Sequence, residues 1–136
     1  MRLRIDDDNI FEQLGLAKLQ ELSTEFYRRV QADEDPEFKA IFTRDLSEAV
    51  QNQFEFFAQR FGGPALYTQR KGHPALRGRH ANFRITKRAA ERWVLHMREA
   101  MDTVGIPAGI RERMDEFFVS TAEFLVNLSD EGEKLY

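Results

Sequence analysis

The chain has 136 residues, no cysteine, 42% hydrophobic residues and a formal net charge of −3. That length makes a single domain the expectation, the acidic balance argues against binding along a nucleic-acid backbone, and the missing cysteines exclude disulfides and thiolate chemistry. No apolar run reaches the length of a membrane span, and the opening MRLRIDDDN lacks the apolar stretch of a signal peptide, so a cytoplasmic protein without membrane partners is expected.

Residues 1–8 are polar, with three consecutive aspartates, and a loose segment is expected there. Asn9 with Glu12 has the spacing of a helix-start capping pair, and Ile10, Phe11 and Leu14 then give a short helix ended by Gly15. Leu16 to Ala32 reads as a second helix. Leu16, Leu19, Leu22, Phe26, Tyr27 and Val30 fall at steps of three and four residues and form one inward stripe. Tyr27 lies on that stripe, and a buried phenol needs a partner for its hydroxyl. Asp33 to Pro36 ends the helix, and Phe38, Ile41 and Phe42 form a short apolar turn.

Asp45 with Glu48 opens a helix over 46–61, where Leu46, Val50, Phe54, Phe57 and Phe61 make the apolar stripe. Ala49, Gln53 and Phe56 share the adjacent face. Gln53 is either a solvent-facing residue or a polar group out of place in a dry core. The chain then meets two helix-breaking clusters, Gly62-Gly63-Pro64 and Gly72-His73-Pro74, which read as one loop over 62–74. Ala75 to His80 is about one helical turn, followed by the apolar Phe83 and Ile85. Thr86 caps a helix over 87–104 whose inward face is Ala90, Trp93, Met97, Ala100, Met101 and Val104, ended by Gly105. Pro107 starts a last helix, 107–128, with Ile110, Met114, Phe117, Phe118, Thr121, Phe124, Leu125 and Leu128 inward. The tail 129–136 is polar and expected to be loose.

No strand-like alternation occurs, so the chain is all-α. Four long helices could form a plain bundle, but the long connection before His80 is unlike the short turns of one. His80 sits on a short, loop-anchored turn beside Phe83 and Ile85, which suit the face of a flat ring. Neutral imidazole is a normal axial ligand of haem iron; a histidine among apolar residues is also often structural. His73, between Gly72 and Pro74, reads as a backbone partner, and His96 lies at the edge of its helix's apolar face.

The run Gly62-Gly63-Pro64, Tyr67, Gly72-His73-Pro74, Leu76-Arg77, Arg79-His80, Phe83 and Ile85, followed by Trp93 and preceded by Phe26-Tyr27, resembles the truncated haemoglobins of the second group. The resemblance extends from about Asn9 to Leu128. It implies a two-over-two helical sandwich enclosing haem b, with His80 as the iron ligand. Tyr27, Gln53 and Trp93 are then the polar residues facing a bound O2, with Phe42 and Ala49 in the same pocket. The implied haem-contacting set is Phe42, Ala49, Asn52, Phe56, Tyr67, Leu76, Arg79, Phe83, Ile85, Trp93 and Met97. Within it, Arg79 and Tyr67, with Arg77 nearby, are expected at the propionates.

Two departures stand out. Asn52 replaces a residue that is often basic in relatives, and Gly15-Leu16 replaces a pair of glycines. The implied ligands are O2, NO, CO or peroxide, and the implied roles are O2 binding or transport, NO oxidation, or peroxidase-like turnover. The last two need electrons. No glycine-rich dinucleotide fingerprint is present, so a separate reductase is expected. The chain is expected to be a monomer or homodimer. The competing expectation is a haem-free helical interaction module.

Overall fold

A computed structural model describes residues 3–7, 9–43 and 45–135. Eight α-helices are found among them: α1 Ile10–Leu14, α2 Leu16–Ala32, α3 Pro36–Lys39, α4 Leu46–Arg60, α5 Leu66–Lys71, α6 Leu76–His80, α7 Lys87–Val104 and α8 Ala108–Leu125. The three side-chain caps read from the sequence form. Asn9 Oδ1 accepts from the Glu12 N–H at 2.9 Å, Asp45 Oδ1 from Glu48 at 3.2 Å, and Thr86 Oγ1 from Ala89 at 3.2 Å, each filling one open donor of a first helical turn.

α2 packs against both α4 and α7, and α7 packs against α8. The α2–α4 and α7–α8 pairs make the expected two-over-two sandwich. Their apolar stripes meet in one core that contains Leu19, Leu22, Phe26, Met97, Met101, Met114 and Phe118. Fully burying a side chain of this size contributes about 1.5–3 kcal/mol, so the four long helices carry most of the stability. A single glycine suffices at the α1–α2 corner. Gly15 takes φ 82° and donates its N–H to Phe11 O at 2.8 Å, while Leu16 begins the next helix. At the end of α4, Gly63 is required by close approach: a Cβ there would lie 2.6 Å from the Phe11 ring and 2.8 Å from Ala58 O.

Three expectations need correction. The segment 62–74 is not a continuous loop, because α5 forms inside it. The Gln59 side chain caps that helix from outside, accepting from the Thr68 N–H at 2.9 Å and donating to Thr68 Oγ1 at 2.7 Å. The chain ends are tied down where they are described. Ile5 is 2% exposed, Arg4 pairs with Glu116 at 2.6 Å, and Leu128 and Lys134 form a bridge in a turn that folds back after α8. Phe124 does not face inward but is exposed, with the Arg77 guanidinium 4.0 Å above its ring. The α8 stripe has its last buried member at Ala122, and Val126 already leaves the helix.

Candidate functional site

A cavity of about 480 Å³ opens between the two helical pairs. Tyr27 of α2 lines it, with Phe42 after α3, Ala49, Asn52, Gln53 and Phe56 of α4, and Tyr67 of α5. Leu76, Arg79 and His80 of α6, Phe83 and Ile85 of the following turn, and Trp93 of α7 complete the predicted residues that reach it. The volume lies in the range of pockets that bury most of a large ligand. Met97 is the exception. It is 0% exposed, belongs to the core cluster and does not line the cavity.

Sequence reasoning missed several lining residues. From the sequence Ile41, Leu46 and Phe57 read only as apolar stripe or turn members, and Phe117, Phe118, Thr121 and Leu125 only as an inward helix face, yet all line the cavity. Periodicity shows that a face points inward but not whether it meets another helix or a void. Lys71 also lines the cavity, and its Nζ lies 3.9 Å from Glu48 Oε1.

His80 ends α6, a helix with no buried residue. Its Nδ1 lies 2.7 Å from Leu76 O. A carbonyl can only accept, so Nδ1 carries the hydrogen, and in the neutral imidazole the lone pair is then on Nε2. A hydrogen-bonded Nδ1 is the usual second partner of a metal-ligating histidine. The Phe83 ring stands 6.1 Å from the imidazole. The other two histidines are committed elsewhere. His73 Nδ1 accepts the Ala75 N–H at 3.0 Å, which holds Ala75 at the unusual φ of 42°. His96 Nε2 donates to Asp33 Oδ2 at 2.7 Å.

The Asp33 side chain is 1% exposed and also accepts from Arg92 at 2.5 Å and 3.1 Å. Burial alone would raise its pKa, but the hydrogen bonds from Arg92, His96 and the Asp35 N–H outweigh burial and hold the carboxyl well below the usual range. This cluster ties the end of α2 to α7.

The polar residues lining the cavity from the long helices are Tyr27, Asn52, Gln53, Trp93 and Thr121. Trp93 is wedged between Phe26, at 5.1 Å, and Phe118, at 5.7 Å. Tyr27 sits edge-on to Phe26 at 4.9 Å and to Phe42 at 6.2 Å. Gln53 Oε1 is buried without a hydrogen-bond partner. An amide oxygen can only accept, so this atom needs a donor; the amide's own donors are on Nε2. Arg79 lies beneath the Tyr67 ring, its guanidinium carbon 5.4 Å from the centroid. It donates through Nη2 to Lys71 O at 2.6 Å and His73 O at 2.9 Å, so it pins the α5–α6 connection as well as bordering the cavity. Arg77 does not line the cavity and donates to Phe124 O. Asn52 Oδ1 accepts from Arg70 at 2.6 Å, so a cation stands beside this position although the residue itself is neutral.

Among the described residues no three His, Cys, Asp or Glu side chains converge as a protein-built metal site. One histidine in a large, mostly apolar cavity instead suits a flat macrocycle that brings its own metal and needs one further ligand. Such a cavity inside a two-over-two helical sandwich is the architecture of a globin.

Comparison with known proteins agrees. Residues 9–127 match the bacterial-like globin family. The chain is 51% identical over 135 residues to a two-on-two haemoglobin of Arabidopsis thaliana, covering 96% of this chain and 77% of the relative. It is 40% identical over 124 residues to a group 2 truncated haemoglobin of Bacillus subtilis, covering 91% and 92% of the two chains. The crystal structure of the group II truncated haemoglobin of Bacillus anthracis superposes with a TM-score of 0.84 at 39% identity, covering 90% of this chain and 94% of that one. The chain belongs to the bacterial-like globin family, among its group II truncated haemoglobins. The family implies haem and binding of O2 and related diatomic ligands.

Proposed function

We propose that the cavity holds haem b, with His80 as the axial ligand, and that Tyr27, Gln53 and Trp93 retain O2 by hydrogen bonding. The carrying observation is His80 itself: it lines the cavity, and its Nδ1–H is fixed on Leu76 O, which leaves the lone pair on Nε2. When bound, ferrous haem supplies the site for O2, NO or CO and shifts electron density onto O2. The chain's part is to meet that charge with donors already in place, as an oxyanion site does. The phenol O–H, amide N–H and indole N–H provide three such donors. Phe56, Leu76, Phe83 and Ile85 supply apolar contact, and Ala49 leaves room for a small molecule to enter. Tyr67, Arg79 and Lys71 stand where the propionates would meet cations and a phenol.

A polar cage of this kind favours retention over carriage, and it supports NO oxidation or peroxidase-like turnover fed by a separate reductase. The deciding experiment is haem reconstitution followed by visible absorption, on the wild type and three histidine variants. His80→Gly should lose most of its haem or hold it only with added imidazole. His73→Ala and His96→Ala should keep the wild-type spectrum, as their hydrogen bonds serve the backbone and Asp33. An unchanged ferrous spectrum in His80→Gly refutes the axial assignment, and a wild type that takes up no haem refutes the whole reading.

A further inference from the structure

Asn127 is a buried side chain whose use the site so far leaves unexplained. It lies just beyond α8, is 1% exposed, and belongs to no helix. A primary amide in a protein interior costs free energy unless its hydrogen-bonding groups are met. Here they are met, and every side-chain partner lies in one place, the turn that follows His80. Asn127 Oδ1 accepts the Ile85 N–H at 2.9 Å. Its Nδ2 donates to Phe83 O at 2.9 Å and to His80 O at 3.3 Å. The backbone repeats the grip, since the N–H groups of Asn127 and Leu128 both donate to Ile85 O, at 2.8 Å and 3.2 Å. The Asn127 carbonyl in turn accepts from the Leu135 N–H at 3.0 Å, so the chain end closes over the clamp.

The turn's other ties are the buried Ile85 side chain and a hydrogen bond from Lys134 Nζ to Ala81 O at 3.2 Å. α6 buries no residue of its own, and Ala81, Asn82 and Arg84 are exposed. The direction of the His80 imidazole therefore depends on the packing of Phe83 and Ile85 and also on polar contacts. Of these, the Leu76 O bond sets the rotation of the ring, and the Asn127 bonds set the backbone from which the ring projects.

We propose that Asn127 is a positioning residue for His80, clamping the His80–Ile85 turn to the end of α8 so that the imidazole keeps its aim into the cavity. This rests on the reading of His80 as axial ligand. Groups that orient a metal ligand without touching the metal typically change affinity 10- to 100-fold when removed.

The test compares the haem-loaded wild type with Asn127→Asp, which keeps size and the Ile85 contact but replaces both donations with a carboxylate facing two carbonyls. Asn127→Ser, which retains one donor, serves if the first variant does not fold. Ile10→Ala is the control. Ile10 is 0% exposed and does not line the cavity, so its loss weakens the fold without touching the turn. Three quantities are read: the rate of haem transfer to excess apomyoglobin, the resonance Raman band of iron–histidine stretching in the ferrous protein, and hydrogen exchange at the Ile85 amide.

The Asn127 variant should lose haem about tenfold faster or more, with a shifted or broadened iron–histidine band and faster Ile85 exchange. Ile10→Ala should leave the band and the Ile85 amide as in the wild type. An Asn127 variant with an unchanged band, whose haem loss rises no more than that of Ile10→Ala, overturns the positioning role and leaves His80 as ligand intact. A wild type without an iron–histidine band overturns the His80 assignment and this inference with it.

Discussion

Gln53→Leu should move stability and O2 retention in opposite directions. In the protein alone, Gln53 Oε1 is buried and unpaired. An unpaired buried acceptor costs about 1–3 kcal/mol. Leucine is close to glutamine in size and removes that acceptor, and Gln53 shares its helical face with Ala49 and Phe56, both of which line the same cavity. The haem-free variant should therefore be more stable by about 1–3 kcal/mol, which for a domain of this size raises Tm by roughly 3–10 °C. With haem bound, the same change removes a donor. A hydrogen bond to a charged acceptor contributes roughly 1.5–3 kcal/mol, reduced by the rotamer freedom that three side-chain torsions must give up. O2 release should accelerate about tenfold. Thermal melting by circular dichroism on the haem-free protein and stopped-flow O2 release on the ferrous protein read the two halves. A lower Tm in the haem-free variant would refute the reasoning, because it would show that Oε1 is not an unsatisfied acceptor.

Trp93→Phe and Tyr27→Phe should each speed O2 release tenfold or more with little change in association, and Trp93→Phe should be the larger, since Phe26 and Phe118 hold the indole from two sides. The double variant should show less than the product, as both donors serve one small charge; unchanged release in both single variants would remove the polar cage. The Asp33 carboxyl is held well below its ordinary value, so its contribution is fully present above about pH 4, the value in an unfolded chain, and falls away as the pH drops below it. Asp33→Asn should lower Tm near neutrality and flatten its decline between about pH 5 and pH 3, while a decline as steep as the wild type's would place the acid sensitivity elsewhere.

The long helices were legible because α2, α4 and α7 each carry an uninterrupted stripe and open on a capping or glycine signal. The histidine turn was legible for a different reason: two glycine–proline clusters fence it off. What stayed hidden were relations between segments. α5 lies between those same clusters, and its first turn is satisfied by Gln59, a residue of another helix, so local composition reads as loop. Met97 and Trp93 share a stripe, yet Met97 is wholly in the core while Trp93 packs on the core and also lines the cavity, a difference that periodicity does not show. Asn127 falls within the stretch 107–128 that reads as one helix, although the helix ends at Leu125, and its role depends on a turn more than forty residues earlier. Arg79 was expected at the cavity for its charge, and the structure adds a structural duty on the carbonyls of Lys71 and His73.

The two sides of the cavity are built from different kinds of structure. Tyr27, Gln53 and Trp93 stand on α2, α4 and α7, helices packed along most of their length, so small displacements of these donors are opposed by the whole core. His80 stands on five residues of helix without a buried side chain, held by Leu76 O, by the Arg79 bonds to Lys71 and His73, and by Asn127. Segments with few buried apolar contacts open at a lower free energy than the core does. On the proposed reading, haem then escapes by opening of α6 and its turn while the four-helix core remains folded. Haem retention and global stability become separable quantities: core substitutions distant from the cavity shift Tm with little effect on haem loss, and loss of a single hydrogen-bond donor around His80 does the reverse.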